Sequence, residues 1–139
     1  NVWPTARMRD LLGASDFVVI AAPHTPETEK MFRSSQFAWM RRSAYLINIG
    51  RGSVVDETAL ARALRENIIF AAGLDVFENE PHVPAELIAC ENAVLLPHVG
   101  SASIHTRNLM GQLVVDNVRA FLAGKHPLTP VAETPFKSW

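Results

Sequence analysis

Three side chains of this 139-residue chain, a cation, a carboxylate and an imidazole far apart in sequence, are of types that could share one reaction. Arg51 stands between glycines in Asn48-Ile49-Gly50-Arg51-Gly52, directly after the apolar run Ala44 to Ile47. Glycines there let backbone approach a ligand closely, and a guanidinium at that place can hold an anion. His98, in Pro97-His98-Val99-Gly100, lies in a turn between an apolar segment and a serine-capped helix. A carboxylate on one ring nitrogen poises such an imidazole as a proton donor near neutral pH. Glu80, in the acidic loop 78–84, is the candidate partner. Each also has a plainer reading: Arg51 as a surface arginine in a tight turn, Glu80 as a solvated loop carboxylate. His24, His82, His105 and His126 are read as structural or solvated.

A hydrolytic triad would need Ser53 or Ser101 as nucleophile, and neither lies in a G-x-S-x-G elbow. His98 and His105 have no third group at ligand spacing, so no metal site is expected. Cys90 is read as a small buried hydrophobe rather than a nucleophile.

The elements that must position these residues follow from the apolar pattern. Residues 5–13 carry Met8, Leu11 and Leu12 at helical spacing, with Gly13 as the stop. Phe17 to Ala22 reads as a strand buried on both faces, ended by Pro23 and Pro26. Ser34 or Ser35 caps a short helix to about Arg42, with Phe37, Trp39 and Met40 as core. A second strand spans 44–49; Asp56 then caps a helix with Leu60, Ala63 and Leu64 inward, ending near Asn67. A third strand runs from Ile68 to Leu74, a short helix covers 85–90, and a fourth strand covers 93–96. The longest helix, roughly 103–122, is capped by Ser101 or Ser103 and stopped by Gly124. Met110, Leu113, Val114, Val118, Phe121 and Leu122 mark its expected buried side, and Pro127, Pro130 and Pro135 make an extended tail.

Strands alternating with helices predict an α/β fold with a parallel sheet and helices on both faces. Ligands of such sheets bind at the carboxyl ends of the strands. Thr28 follows the first strand, Arg51 the second, Asp75 and Glu80 the third, and His98 the fourth. Parallel strands therefore bring them all to one edge.

Composition narrows the classes. The chain is 48% hydrophobic and 19% charged, as in an ordinary globular domain. A net charge of −1 offers nothing to nucleic acid or an anionic membrane. No apolar run approaches the roughly 20 residues of a membrane span. A single cysteine fits a reducing, cytoplasmic setting. Asn1-Val2-Trp3-Pro4 reads as an entry from something upstream.

These motifs together resemble the D-isomer-specific 2-hydroxyacid dehydrogenases. The pieces are Ser15-Asp16 into the strand, Pro23-His24-Thr25-Pro26-Glu27-Thr28, Asn48 to Asp56, Gly73-Leu74-Asp75-Val76-Phe77-Glu78-Asn79-Glu80-Pro81, and Pro97 to Ser101, in the family's order. The resemblance implies an oxidoreductase moving a hydride between NAD or NADP and a small 2-oxo or 2-hydroxy acid. It implies that Arg51 grips the substrate, His98 is the acid/base and Glu80 orients His98. Ala22, Pro23, Thr28, Ile49, Gly50, Arg51, Asp75, His98, Val99, Gly100 and Ser101 would line the cofactor, with Asp75 beside the nicotinamide carboxamide. The loop Pro81 to Pro84 and the tail lean toward the glyoxylate/hydroxypyruvate reductases. Gly50 and Ala71 stand where the family commonly has alanine and glycine, small-for-small changes expected to matter little.

No G-x-G-x-x-G and no ribose-reading acid is present. The resemblance therefore implies the C-terminal portion of a Rossmann-type doubly wound sheet, without the first βαβ and most of the substrate domain. Residues 1–123 would be a partial dinucleotide-binding domain and 124–139 a tail packing on the substrate domain. The intact enzyme is expected to be a homodimer, and the fragment to be inactive, with the Phe17–Ala22 edge open to pairing. A nicotinamide-sensing corepressor on the same fold, or a remnant with only a packing role, are the alternatives.

Overall fold

The computed structural model describes residues 2–131. A 3₁₀ turn, Thr5–Arg7, leads into α1 (Met8–Ala14), followed by β1 (Phe17–Ile20), α2 (Ser34–Trp39) and β2 (Tyr45–Asn48). After a 3₁₀ turn, Gly52–Val54, come α3 (Glu57–Arg65), β3 (Ala71–Leu74), α4 (Ala85–Ile88), β4 (Ala93–Leu95) and α5 (Ile104–Leu122). The chain divides into two compact units, Asn1–Gly100 and Ser101–Trp139.

The first unit holds a sheet of order β1-β2-β3-β4, every neighbouring pair parallel. Val18, Leu46, Ala72 and Ala93 are in register across it, as are Ile20, Asn48, Leu74 and Leu95. Strands taken in sequence order with right-handed crossovers put the connecting helices on one face. On that face Val18, Ile20, Leu46, Ala72 and Leu74 join Leu12, Phe37, Leu60, Leu64 and Leu87 in one buried cluster. Full burial of a side chain such as Leu46 or Leu60 contributes about 1.5–3 kcal/mol over leaving it in water. Cys90 is buried there too.

The other face differs from expectation. Phe17 is 64% and Val19 54% exposed, so β1 is buried on one face only. Phe17 stacks on Tyr45 with ring centroids 5.0 Å apart, and Phe70 meets Tyr45 edge-on at 5.1 Å. An apolar run does not say which of its faces will be covered; here the helices of this unit all lie opposite.

Local signals fixed most boundaries. Asp56 caps α3, its Oδ1 accepting from Ala59 N at 3.0 Å. Asn67, at φ 53°, makes the left-handed turn that releases the chain after α3. Helix α1 runs past Gly13 to Ala14. Helix α2 begins after Arg33, whose N–H the Gln36 side chain accepts at 3.1 Å, and stops at Trp39 rather than Arg42. Ser34 and Ser35, either of which was expected as its cap, lie inside the helix instead, and Ser34 Oγ accepts from Arg62 at 2.7 Å. The third strand starts at Ala71, three residues later than its apolar run. In the second unit, Ser103 caps α5, accepting from Thr106 N at 3.1 Å. Gly124 ends it at φ 69°. Its expected buried stripe is not buried: Met110, Leu113, Val114, Val118, Phe121 and Leu122 are 40–78% exposed. Helical spacing makes an apolar face but not the surface that covers it. Pro135 lies outside the described residues. No helix among the described residues is long and apolar enough to cross a membrane.

Loops at the carboxyl edge are tied to one another. Lys30 N donates to Ser53 O at 2.8 Å, Phe32 N to Val54 O at 3.0 Å, and Asp56 N to Phe32 O at 2.9 Å. Gly52 is buried so tightly that a Cβ on it would overlap the Phe77–Glu78 peptide. Gly52→Ala is therefore expected to destabilise by about 1–3 kcal/mol or more, as overpacking does. Urea denaturation of the two proteins checks this; equal midpoints would contradict the close approach.

Candidate active site

The site begins with a buried amide. Asn48 ends β2 at 1% exposure, a polar residue where apolar ones dominate. Its Oδ1 accepts from Gly50 N at 3.0 Å and its Nδ2 donates to Arg51 O at 3.0 Å. One side chain thus shapes the turn that presents Arg51 outward. Gly50 packs beneath, where a Cβ would lie 2.6 Å from Ala22 O. Alanine at 50 would force that loop aside, so the glycine matters more here than a small-for-small exchange suggests. The exposed Arg51 guanidinium rests on Gly50 O at 2.7 Å.

Asp75 does the corresponding work after β3. It is buried, and its Oδ1 accepts from Val99 N at 2.7 Å and its Oδ2 from Gly100 N at 2.9 Å. Both carboxylate oxygens clamp the turn that carries His98. That residue has φ 54°, the left-handed region that a side chain other than glycine rarely adopts. Such backbone persists where its surroundings over-determine it, and the two bonds from Asp75 do so.

The clamped turn brings His98 Nδ1 to 2.8 Å from Glu80 Oε2. Glu80 Oε1 accepts from Phe77 N at 3.1 Å, so both its oxygens are directed. The His98 contact, first, and the Phe77 N–H, next, hold its carboxyl below the usual 4.5, with the Arg51 charge adding to the effect. An ionised carboxylate only accepts hydrogen bonds, so Nδ1 carries the proton of this bond. Nε2 is then the nitrogen available to a substrate, on a side chain 49% exposed. The arrangement can hold an anion at Arg51 and pass a proton through Nε2.

Thr28 is engaged in its own loop, its Oγ1 donating to Pro23 O at 2.8 Å and accepting from Thr25 N at 2.8 Å. Ala22 and Pro23 follow β1, Ile49 follows β2, and Val99 and Gly100 follow β4. Ser101 belongs to the second unit. A cavity of about 240 Å³ adjoins the pair, lined by Phe77, Pro81, Val83, Leu95 and Leu96 beside Glu80 and His98. No group of three or more metal-ligating side chains occurs among the described residues.

Two supporting residues escaped the sequence reading. Asn48 had a signal, a polar residue closing an apolar strand. Glu57 had none: it looks like an ordinary first-turn helix acid, yet it is buried and accepts from Glu78 N at 2.7 Å, 21 residues away. Burial pushes its carboxyl above the usual range, against the pull of that N–H.

Residues 2–100 match the model of the "D-isomer specific 2-hydroxyacid dehydrogenase, NAD binding domain" family. The chain is 50% identical over 122 residues to glyoxylate/hydroxypyruvate reductase A of Arabidopsis thaliana, covering 88% of this chain and 39% of that protein. It is 49% identical over 122 residues to hydroxyphenylpyruvate reductase of Plectranthus scutellarioides, covering 88% and 39%. Among solved structures, the NADPH-dependent glyoxylate/hydroxypyruvate reductase of Sinorhizobium meliloti, in complex with NADP and malonate, superposes with TM-score 0.87 at 48% identity. That match covers 94% of this chain and 41% of the other. The chain thus spans about two fifths of the relatives it matches.

Because Glu80 is held below its ordinary value in the folded protein, folding is favoured by its ionisation. The native state binds fewer protons, so this contribution is full above about pH 4.5 and is lost as pH falls through the lower folded value. Glu80→Gln is expected to flatten that part of the acid limb when stability is followed from pH 6 to pH 3. An unchanged acid limb would mean that the carboxylate gains nothing from its partners.

Proposed function

Since the chain belongs to the D-isomer specific 2-hydroxyacid dehydrogenase family through its NAD-binding domain, we propose that it is the C-terminal portion of the cofactor domain of a nicotinamide-dependent 2-oxoacid reductase. Glyoxylate and hydroxypyruvate are the proposed substrates, and residues 1–123 the proposed domain portion. The observation that supports it most is the 2.8 Å contact of His98 Nδ1 with Glu80 at the edge where Arg51 also emerges. A reducing, cytoplasmic location accords with a single cysteine, which is buried.

The residues present suit the nicotinamide half of NAD or NADP. Ile49 and Val99 expose apolar side chains, 56% and 40%, just past β2 and β4, where a flat ring can lie against them. Backbone groups of Ala22–Pro23 and Gly50 stand at the same edge of the sheet. A reduced nicotinamide held there would supply the hydride for the substrate's carbonyl carbon.

Everything else falls to side chains of this chain. Arg51 binds the 2-oxoacid carboxylate through its planar fork of donors. That contact orients the carbonyl oxygen toward His98. His98 gives the Nε2 proton to this oxygen as the alkoxide forms, keeping its Nδ1 proton on Glu80. Ionised Glu80 offsets the charge of the imidazolium before transfer and keeps the ring in one orientation. The product is a 2-hydroxy acid, and His98 regains its proton from water.

In the complete protein, His98→Gln is expected to cut kcat by about 10²–10⁴, the usual worth of a positioned acid. Arg51→Ala is expected to lower kcat/KM at least about a hundredfold, since the lost bonds are charge-assisted. Steady-state kinetics with glyoxylate and either nicotinamide measure both, and near-normal kcat in His98→Gln would remove it as proton donor. The 139 residues alone are expected to give no turnover in the same assay.

A further inference from the structure

We propose that Glu57 is a positioning residue for the acid/base pair, acting by gripping the Phe77–Glu78 peptide from which Glu80 is hung. The inference rests on the reductase reading above but concerns a residue with no place in that mechanism. Glu57 is 6% exposed, and its Oε1 accepts from Glu78 N at 2.7 Å. The N–H of Phe77, one residue earlier, is donated to Glu80 Oε1 at 3.1 Å. Consecutive amides of one short stretch are thus held by two glutamates, one structural and one facing His98.

The same peptide is pinned from a second direction. Gly52, the neighbour of Arg51, lies so close to Phe77 and Glu78 that it admits no Cβ. The Glu78 carboxylate is drawn outward by Lys30, Nζ to Oε1 3.1 Å. Lys30 N in turn donates to Ser53 O at 2.8 Å. The stretch carrying Glu80 is therefore fastened to α3, to the Arg51 turn and to the β1–α2 loop. Its only bond to the first turn of α3 is the one from Glu57 among the described residues. Burial raises the carboxyl of Glu57, which agrees with a group retained for its acceptor oxygen at some cost in desolvation.

A helix-end role and a gripping role make opposite demands on this side chain. For helix α3 a negative charge at its first residue is what counts. For the grip, reach and an acceptor oxygen count. Glu57→Asp keeps the charge and withdraws the acceptor by one methylene. Glu57→Gln loses the charge and keeps the acceptor at full reach.

The test is steady-state reduction of glyoxylate by the complete protein, comparing wild type, Glu57→Asp and Glu57→Gln, with thermal melting of each. Glu57→Asp is expected to lose about tenfold to a hundredfold in kcat, as small misplacements of catalytic groups do. Its KM for the oxoacid should stay within about twofold, because Arg51 keeps its own supports. Glu57→Gln should keep kcat within about threefold of wild type. Wild-type kcat in a folded Glu57→Asp, or a larger loss in Gln than in Asp, would overturn the proposal. An inactive wild type would instead sink the reductase reading; exchange of the Glu78 amide, slowed in wild type and Gln but not in Asp, would then decide the grip by itself, and equal exchange in all three would overturn it.

Discussion

Parallel pairing of strands in sequence order is the constraint from which the rest of this structure follows. With β1 to β4 side by side and co-directional, the turns after β2, β3 and β4 must open at one edge. Arg51, Glu80 and His98 are 29 and 18 positions apart in sequence, and this topology brings their turns to one edge. The hydrophobic effect holds the strands through one covered face, but it does not aim a side chain. That task falls to buried polar groups. Asn48 shapes the Arg51 turn, Asp75 clamps the His98 turn, and Glu57 holds the stretch bearing Glu80.

The division of labour explains what could be read from the residues. Alternating apolar segments and proline or glycine stops placed the strands, and Asp56 and Ser103 marked helix starts because a capping side chain acts within three residues. The order Arg51, Glu80, His98 and the surrounding motifs were legible as a family resemblance, and the family match over residues 2–100 agrees. The supports were harder to see. Glu57 and Glu78 are joined by a bond spanning 21 residues, and nothing local distinguishes that glutamate from any first-turn acid.

Coverage was the other illegible property. Phe17, Val19 and the apolar stripe of α5 looked like core, because an apolar pattern records that a surface can be buried and not what buries it. The first unit builds its helices on one face, leaving Phe17, Tyr45 and Phe70 as an aromatic group on the other. The chain spans about two fifths of the length of the relatives it matches.

The central claim is that His98 is a proton donor through Nε2 because Glu80 fixes its other nitrogen. Nitrogen-15 NMR of the His98 imidazole in the complete protein tests this most directly, with and without oxamate as an unreactive 2-oxoacid mimic. The account predicts a protonated Nδ1 that depends on Glu80, and an Nε2 resonance that moves when oxamate binds. An unprotonated Nδ1, or an Nε2 indifferent to saturating oxamate, would contradict it.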